Sequence, residues 1–127
     1  CTATFTQEAG LAALVGPQEG VDAMVEEYRR RRDFVVGALN DIPGVSCPVP
    51  EGAFYAFPDV SSFGLSSKEV ADRLLSEGGV AVLPGTDFSA NGEGKIRLSY
   101  VGDMETLEEG VRRIAATLGK IAEEGKR

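Results

Sequence analysis

Histidine and tryptophan are absent from this 127-residue sequence, cysteine and methionine occur twice each, and positive charge is in deficit. Some of these scarcities close a class of function. Without histidine there is no Cys/His zinc site and no histidine-based catalytic triad. The two cysteines, Cys1 and Cys47, leave a single disulfide open, and the composition otherwise reads as that of a reduced protein, with a cytoplasmic location as the expectation. Lys and Arg number 13 against 20 Asp and Glu, a net charge of -7, which argues against nucleic acid and against an anionic membrane as partner. No apolar run approaches the roughly 18 residues of a membrane-spanning helix, and no signal-peptide pattern opens the chain. Repeats and low-complexity tracts are missing too. The first residue is Cys1 rather than Met, and the expectation is a piece of something longer.

What remains is an ordinary globular composition, 43% hydrophobic and 26% charged, of a length that suits one domain with a real core. Thr6 is a candidate N-cap for a short alanine- and leucine-rich helix that ends at Gly16-Pro17. A longer helix follows over 18–39, with Val21, Val25, Tyr28, Val35 and Leu39 recurring at helical spacings. Its middle is Arg29-Arg30-Arg31-Arg32. On a helix these side chains point about 100° apart. With Glu26, Glu27 and Asp33 beside them they read as a solvated face rather than a nucleic-acid patch.

Residues 45–50 are extended and interrupted by prolines, which suits an edge. The window 51–59 is the most aromatic in the chain and reads as a strand stopped by Pro58. Ser66 and Glu69 have capping-box spacing and open a helix through Val70, Ala71, Leu74 and Leu75 to Gly78-Gly79. Val80-Ala81-Val82-Leu83 reads as a brief buried strand ended by Pro84-Gly85. A glycine- and asparagine-containing loop over 86–94 leads to the last strand. Asp103 caps a final helix whose stripe is Met104, Leu107, Val111, Ile114, Leu118 and Ile121, and the tail 123–127 is expected to fray. The order α-α-β-β-α-β-β-α, with few strands and amphipathic helices, predicts an α+β fold. Its sheet is small, mostly antiparallel and covered by helices on one face, with a long helix near the N-terminus.

The strand Lys95-Ile96-Arg97-Leu98-Ser99-Tyr100 alternates an apolar face with a polar one that carries Arg97. A guanidinium on a rigid strand offers five donors in a fixed fork that matches a carboxylate. From the strand alone, an edge arginine paired with a nearby Asp or Glu is the simpler reading.

The motifs around it change that reading. Gly52-Ala53-Phe54-Tyr55, then Val80 to Phe88 with Pro84-Gly85-Thr86-Asp87-Phe88 at its end, then Ile96-Arg97-Leu98-Ser99-Tyr100, occur in that order with helix-sized gaps. The series resembles the C-terminal part of the class I/II, fold-type-I aminotransferases, in particular their bacterial aspartate-aminotransferase-like branch. Thr6-Gln7 with Ala12-Ala13-Leu14 resembles that family's interdomain linker, and Tyr28 to Asp33 its long interdomain helix. The resemblance implies that 1–16 end a large domain and that 17–127 form the small C-terminal domain. It implies that Arg97 takes a substrate α-carboxylate as a bidentate pair and that Phe54 lies near the substrate side chain. The parent would be a pyridoxal-phosphate (PLP) enzyme acting on an amino acid and a 2-oxo acid, and a homodimer.

The resemblance also implies what is missing. The lysine that holds PLP, the acidic partner of its ring and the arginine on its phosphate all precede the matched region in family members. Ser66-Ser67-Lys68 imitates the lysine segment but stands in the wrong place, and a capping box accounts for it. The expectation is therefore no covalent PLP on this chain and no catalytic residue in it. A free-standing α+β domain that binds a carboxylate through Arg97 and the loop 86–94, or serves as an interaction module, is the alternative. A different PLP chemistry on the same fold, such as a β-lyase or decarboxylase, also stays open, as does amino-acid specificity.

Overall fold

A computed structural model describes residues 1–125. Helix α1 spans Thr4–Val15 and α2 Glu19–Asn40. Strand β1 is Tyr55–Ala56, α3 is Ser67–Gly78, β2 is Leu83–Pro84, β3 is Ile96–Ser99 and α4 is Met104–Glu124. The three strands form an antiparallel sheet in the order β1-β3-β2, so the last strand in sequence is the central one. This is the expected α+β architecture, a small sheet with helices on one face.

The register explains which face is which. Ala56 pairs with Leu98 and Pro84 with Ile96, and this side carries the fully buried Ile96 and the 1% exposed Ala56. Tyr55 pairs with Ser99 and Leu83 with Arg97 on the other side, where all four residues keep solvent access. Alternation along each strand forces this division once one face is buried. Against the apolar face pack Val35, Val36 and Leu39 of α2, Val70 and Leu74 of α3, and Leu107, Val111, Ile114, Leu118 and Ile121 of α4. These residues close a core within the chain.

Helices α3 and α4 start at capping side chains. Ser66 and Glu69 make the anticipated capping box, each bonding the other's backbone N–H, and Asp103 accepts from the Thr106 N–H at 2.8 Å. Helix α1 starts earlier than Thr6: its N-cap is Ala3, which has no side-chain oxygen to offer. The arginine run lies on the surface of α2, paired with Glu26, Glu27 and Asp33.

Several expectations need correction. Residues 45–50 form no strand; a single bridge, Ser46 to Asp59, holds them, because Pro48 and Pro50 remove ladder donors. The aromatic window gives only two strand residues, since 51–54 bend sharply before β1. Nor is 80–83 a buried strand. Pairing begins only at Leu83, which is 42% exposed, and Ala81 is exposed as well. The disulfide that the sequence left open is not formed: Cys1 is a free thiol on the surface and Cys47 one in the core. The tail is ordered as helix to Glu124, which Arg73 of α3 grips with both terminal nitrogens at 2.7 and 3.1 Å. Lys126 and Arg127, expected to fray, lie outside the described residues.

One part of the chain stands apart from the core. No residue of α1 is buried, and Phe5, Leu11, Leu14 and Val15 are 79%, 56%, 84% and 74% exposed. Val21, Met24 and Val25 in the first turns of α2 are about half exposed too.

Candidate functional site

The open face of the sheet carries Arg97 at the centre of β3. Leu83 stands opposite it, and Tyr55 is its diagonal neighbour through the Tyr55–Ser99 pair. Diagonal positions are within reach of long side chains. The guanidinium carbon lies 4.4 Å from the Tyr55 ring centroid and 4.2 Å from that of Phe88. Ser99, Leu83, Ala81 and Val82 complete a shallow cavity of about 210 Å³ around it.

The guanidinium has aromatic neighbours but no polar partner among the described residues. Arg29, Arg30, Arg31, Arg32, Arg73, Arg112 and Arg113 each contact a carboxylate. Among the described residues the Arg97 side chain has neither an ion pair nor a hydrogen-bond partner, in a chain with seven more acidic than basic groups. The simpler reading from its strand, an arginine satisfied by a nearby Asp or Glu, is thus not what the structure has. Its N–H donors are available to an anion from outside. A second depression of about 270 Å³ between α2 and residues 50–53 also contains arginines, Arg29 and Arg32. Those are already engaged, with Glu26 and Asp33.

Phe54 stands at the edge of the Arg97 neighbourhood, 39% exposed and outside the core cluster. Its ring lies 4.6 Å from that of Tyr55 and 6.2 Å from that of Tyr28 on α2. Aromatic contacts therefore run without a break from Tyr28 through Phe54 and Tyr55 to Arg97, then on to Phe88 and Phe57. The backbone before Phe54 is unusual: Ala53 has φ 60°, a left-handed conformation that L-residues with a Cβ seldom adopt. Tyr100 supports it from below by donating its hydroxyl to the Ala53 carbonyl at 3.1 Å.

The sequence profile described as aminotransferase class I and II matches residues 1–114. The chain belongs to the class I and II aminotransferase family. A putative aminotransferase, YugH, of Bacillus subtilis is 45% identical over 120 residues, which is 94% of this chain and 31% of the relative. An aspartate aminotransferase of Musicola paradisiaca is 41% identical over 119 residues, 93% of this chain and 30% of that protein. Among solved structures, Pyrococcus protein A1 superposes with a TM-score of 0.88 at 40% identity, over 94% of this chain and 31% of that one. The chain thus spans about a third of the length of these relatives.

Within this aminotransferase-family chain the described lysines do not fit the covalent anchor of a PLP cofactor. Lys68 is exposed and paired with Asp72 at 2.6 Å. That carboxylate holds its ammonium above the ordinary lysine range, the wrong direction for an amine that must lose its proton to react. Lys95 donates to the Asn91 carbonyl at 3.3 Å, and Lys120 lies on the surface of α4. Cys47 is no nucleophile either, because burial pushes its thiol above the usual range. Among the described residues no cluster of Cys, Asp and Glu could hold a metal, and no helix is long and apolar enough to cross a membrane.

Sequence reasoning named Arg97 and Phe54 as candidates but did not name Tyr55 and Phe88, the rings beside the guanidinium. Tyr55 stood in plain view in the aromatic window. Its relation to Arg97 depends on strand register, which no local pattern carries. Phe88 lies in a loop, where no periodicity applies.

Proposed function

We propose that this chain is the small C-terminal domain of a PLP-dependent aminotransferase, with residues 1–16 the end of its large domain and 17–127 the small domain proper. The parent moves an amino group between an amino acid and a 2-oxo acid, and Arg97 binds the α-carboxylate of both. The observation that carries the reading is the guanidinium itself, lined by two rings and, among the described residues, left without a carboxylate of its own.

A bidentate pair fixes a carboxylate in position and in rotation, which a lysine ammonium, a point charge, does not. The α-carbon of the substrate is then held in one orientation toward whatever reacts with it. Phe54, on the same aromatic run and half open to solvent, borders the substrate side chain. Exposed apolar residues on α1 and on the first turns of α2 support docking against a large domain. Residence in the cytoplasm and assembly as a homodimer belong to the same reading, by family resemblance.

None of the described lysines fits the cofactor, and on this reading the lysine that anchors PLP belongs to the large domain, so that the chain alone should hold no PLP and carry no transamination. Two observations test it together. The coding sequence upstream of Cys1 should supply about two hundred residues ending in the cofactor-lysine segment. The 127-residue chain mixed with PLP should show no stoichiometric absorbance band traceable to one of its lysines. A start codon close to Cys1, or such a band, contradicts the proposal.

A further inference from the structure

We infer that Tyr55 and Phe88 are positioning residues for Arg97: they hold the guanidinium between two rings so that its N–H edge stays free and oriented. This rests on the reading of Arg97 as a carboxylate clamp and goes beyond it. An arginine with no ion pair on an open sheet face would ordinarily sample many rotamers, and a carboxylate would have to order it on binding. Contact with ring faces offers attraction without occupying the donors, because the π quadrupole draws the cation while the N–H groups remain unbonded.

The two rings are themselves held. Tyr55 sits in the sheet and leans on Phe54. Phe88 comes from the loop after β2, is 48% exposed and meets Phe57 edge-on at 6.1 Å. An exposed loop ring needs a fixed base, and the loop has one. Gly85 and Gly92 cross so closely that a Cβ on Gly85 would come within 2.2 Å of the Gly92 carbonyl oxygen. The Gly85 N–H donates to the Lys95 carbonyl at 2.8 Å, closing the loop against the start of β3. Fully buried Ser67, at the start of α3, donates its hydroxyl to the Gly92 carbonyl at 3.2 Å and accepts from the Lys95 N–H at 3.1 Å. A pinned base therefore presents Phe88 to the arginine two residues into β3.

The test is side-chain NMR of Arg97 in the 127-residue chain, with Arg97→Ala assigning the resonances. In the wild type the δ-methylene and Nε–H protons should lie upfield of free arginine through the ring currents. Phe88→Leu should lose roughly half of that displacement and gain mobility, and Phe88→Tyr should restore both. Wild-type resonances at free-arginine positions, or a Phe88→Leu spectrum equal to the wild type, overturn the inference. The wild-type spectrum decides this even where a variant fails to fold. In the full-length enzyme carrying this chain, Phe88→Leu should raise the KM for the amino acid roughly two- to fivefold, the range of an exposed cation–π contact, with little change in kcat. If Arg97→Ala leaves KM unchanged while Phe88→Leu still frees Arg97 in the spectrum, the clamp reading fails and the positioning stands. If Arg97→Ala raises KM and Phe88→Leu alters neither spectrum nor KM, the positioning fails and the clamp stands.

Discussion

Tyr100 donates its hydroxyl to the carbonyl of Ala53 at 3.1 Å, and Ala53 is the one non-glycine among the described residues at positive φ. The phenol rises from a ring 1% exposed, directly after β3, so the sheet core reaches up to fix the bend that presents Phe54. Two substitutions should move stability in opposite directions. Tyr100→Phe leaves the carbonyl unpaired and should cost about 1 kcal/mol. Ala53→Gly relieves the left-handed backbone and should cost nothing, or gain up to about 1 kcal/mol. Urea unfolding of both variants checks the pair. A destabilising Ala53→Gly would mean that the bend is not strained.

The two thiols should differ sharply. Cys1 is exposed and Cys47 is 5% exposed, with burial raising the Cys47 thiol above its ordinary value and a Phe57 backbone contact only partly opposing that. DTNB at pH 7 should titrate one thiol quickly in the native chain and the second only after denaturation. Rapid reaction of both would contradict the burial of Cys47.

Acid should weaken the fold through identifiable carboxylates. Ser66 holds Glu69 below the ordinary value of 4.5 by side-chain and backbone hydrogen bonds. Arg112 and Arg113 draw Glu109 down to about 2. A carboxylate whose pKa is lower in the folded state stabilises above its unfolded value and loses that contribution as pH falls through the folded one. The melting temperature should therefore hold from neutrality to about pH 5 and decline from there toward pH 2. Glu69→Gln keeps a capping side chain but cannot titrate, so its curve should fall less steeply. Ser66→Ala should cost roughly 1 kcal/mol at neutral pH. Identical pH slopes for wild type and Glu69→Gln would remove the capping box from this account.

Gly92 is a backbone-against-backbone site. A Cβ there would stand 2.0 Å from the Gly85 carbonyl oxygen, and neither strand of the crossing can yield as a flexible side chain would. Gly92→Ala should cost about 1–3 kcal/mol and loosen Phe88, whereas Gly37→Ala, with open space around its Cβ position, should be neutral or slightly stabilising. Equal melting temperatures for the two variants would contradict the crossing.

Much of this was legible in the sequence where local chemistry decides the outcome. The capping box at Ser66, the cap at Asp103 and the apolar stripe of α4 depend on neighbours three or four residues away, and each formed as read. The alternation of Ile96, Arg97, Leu98, Ser99 and Tyr100 correctly sent Arg97 to the open face. Strand extent was read less well. Backbone bends at 51–54 and prolines at 48 and 50 cut the ladders short, and the resulting tertiary geometry overrode aromatic and β-branched propensity. What no local pattern carried was the meeting of Tyr55, Arg97 and Phe88, which come from three segments brought together by register and by the glycine crossing.

The most direct measurement is the kinetics of Arg97→Lys in the full-length protein that carries this chain. Lysine keeps the charge and loses the fork, so a role in orienting a carboxylate should appear as a fall of roughly 100-fold or more in kcat/KM for the amino acid. The melting temperature should stay close to that of the wild type, because Arg97 makes no ion pair among the described residues. An Arg97→Lys enzyme with wild-type kcat/KM would contradict the clamp.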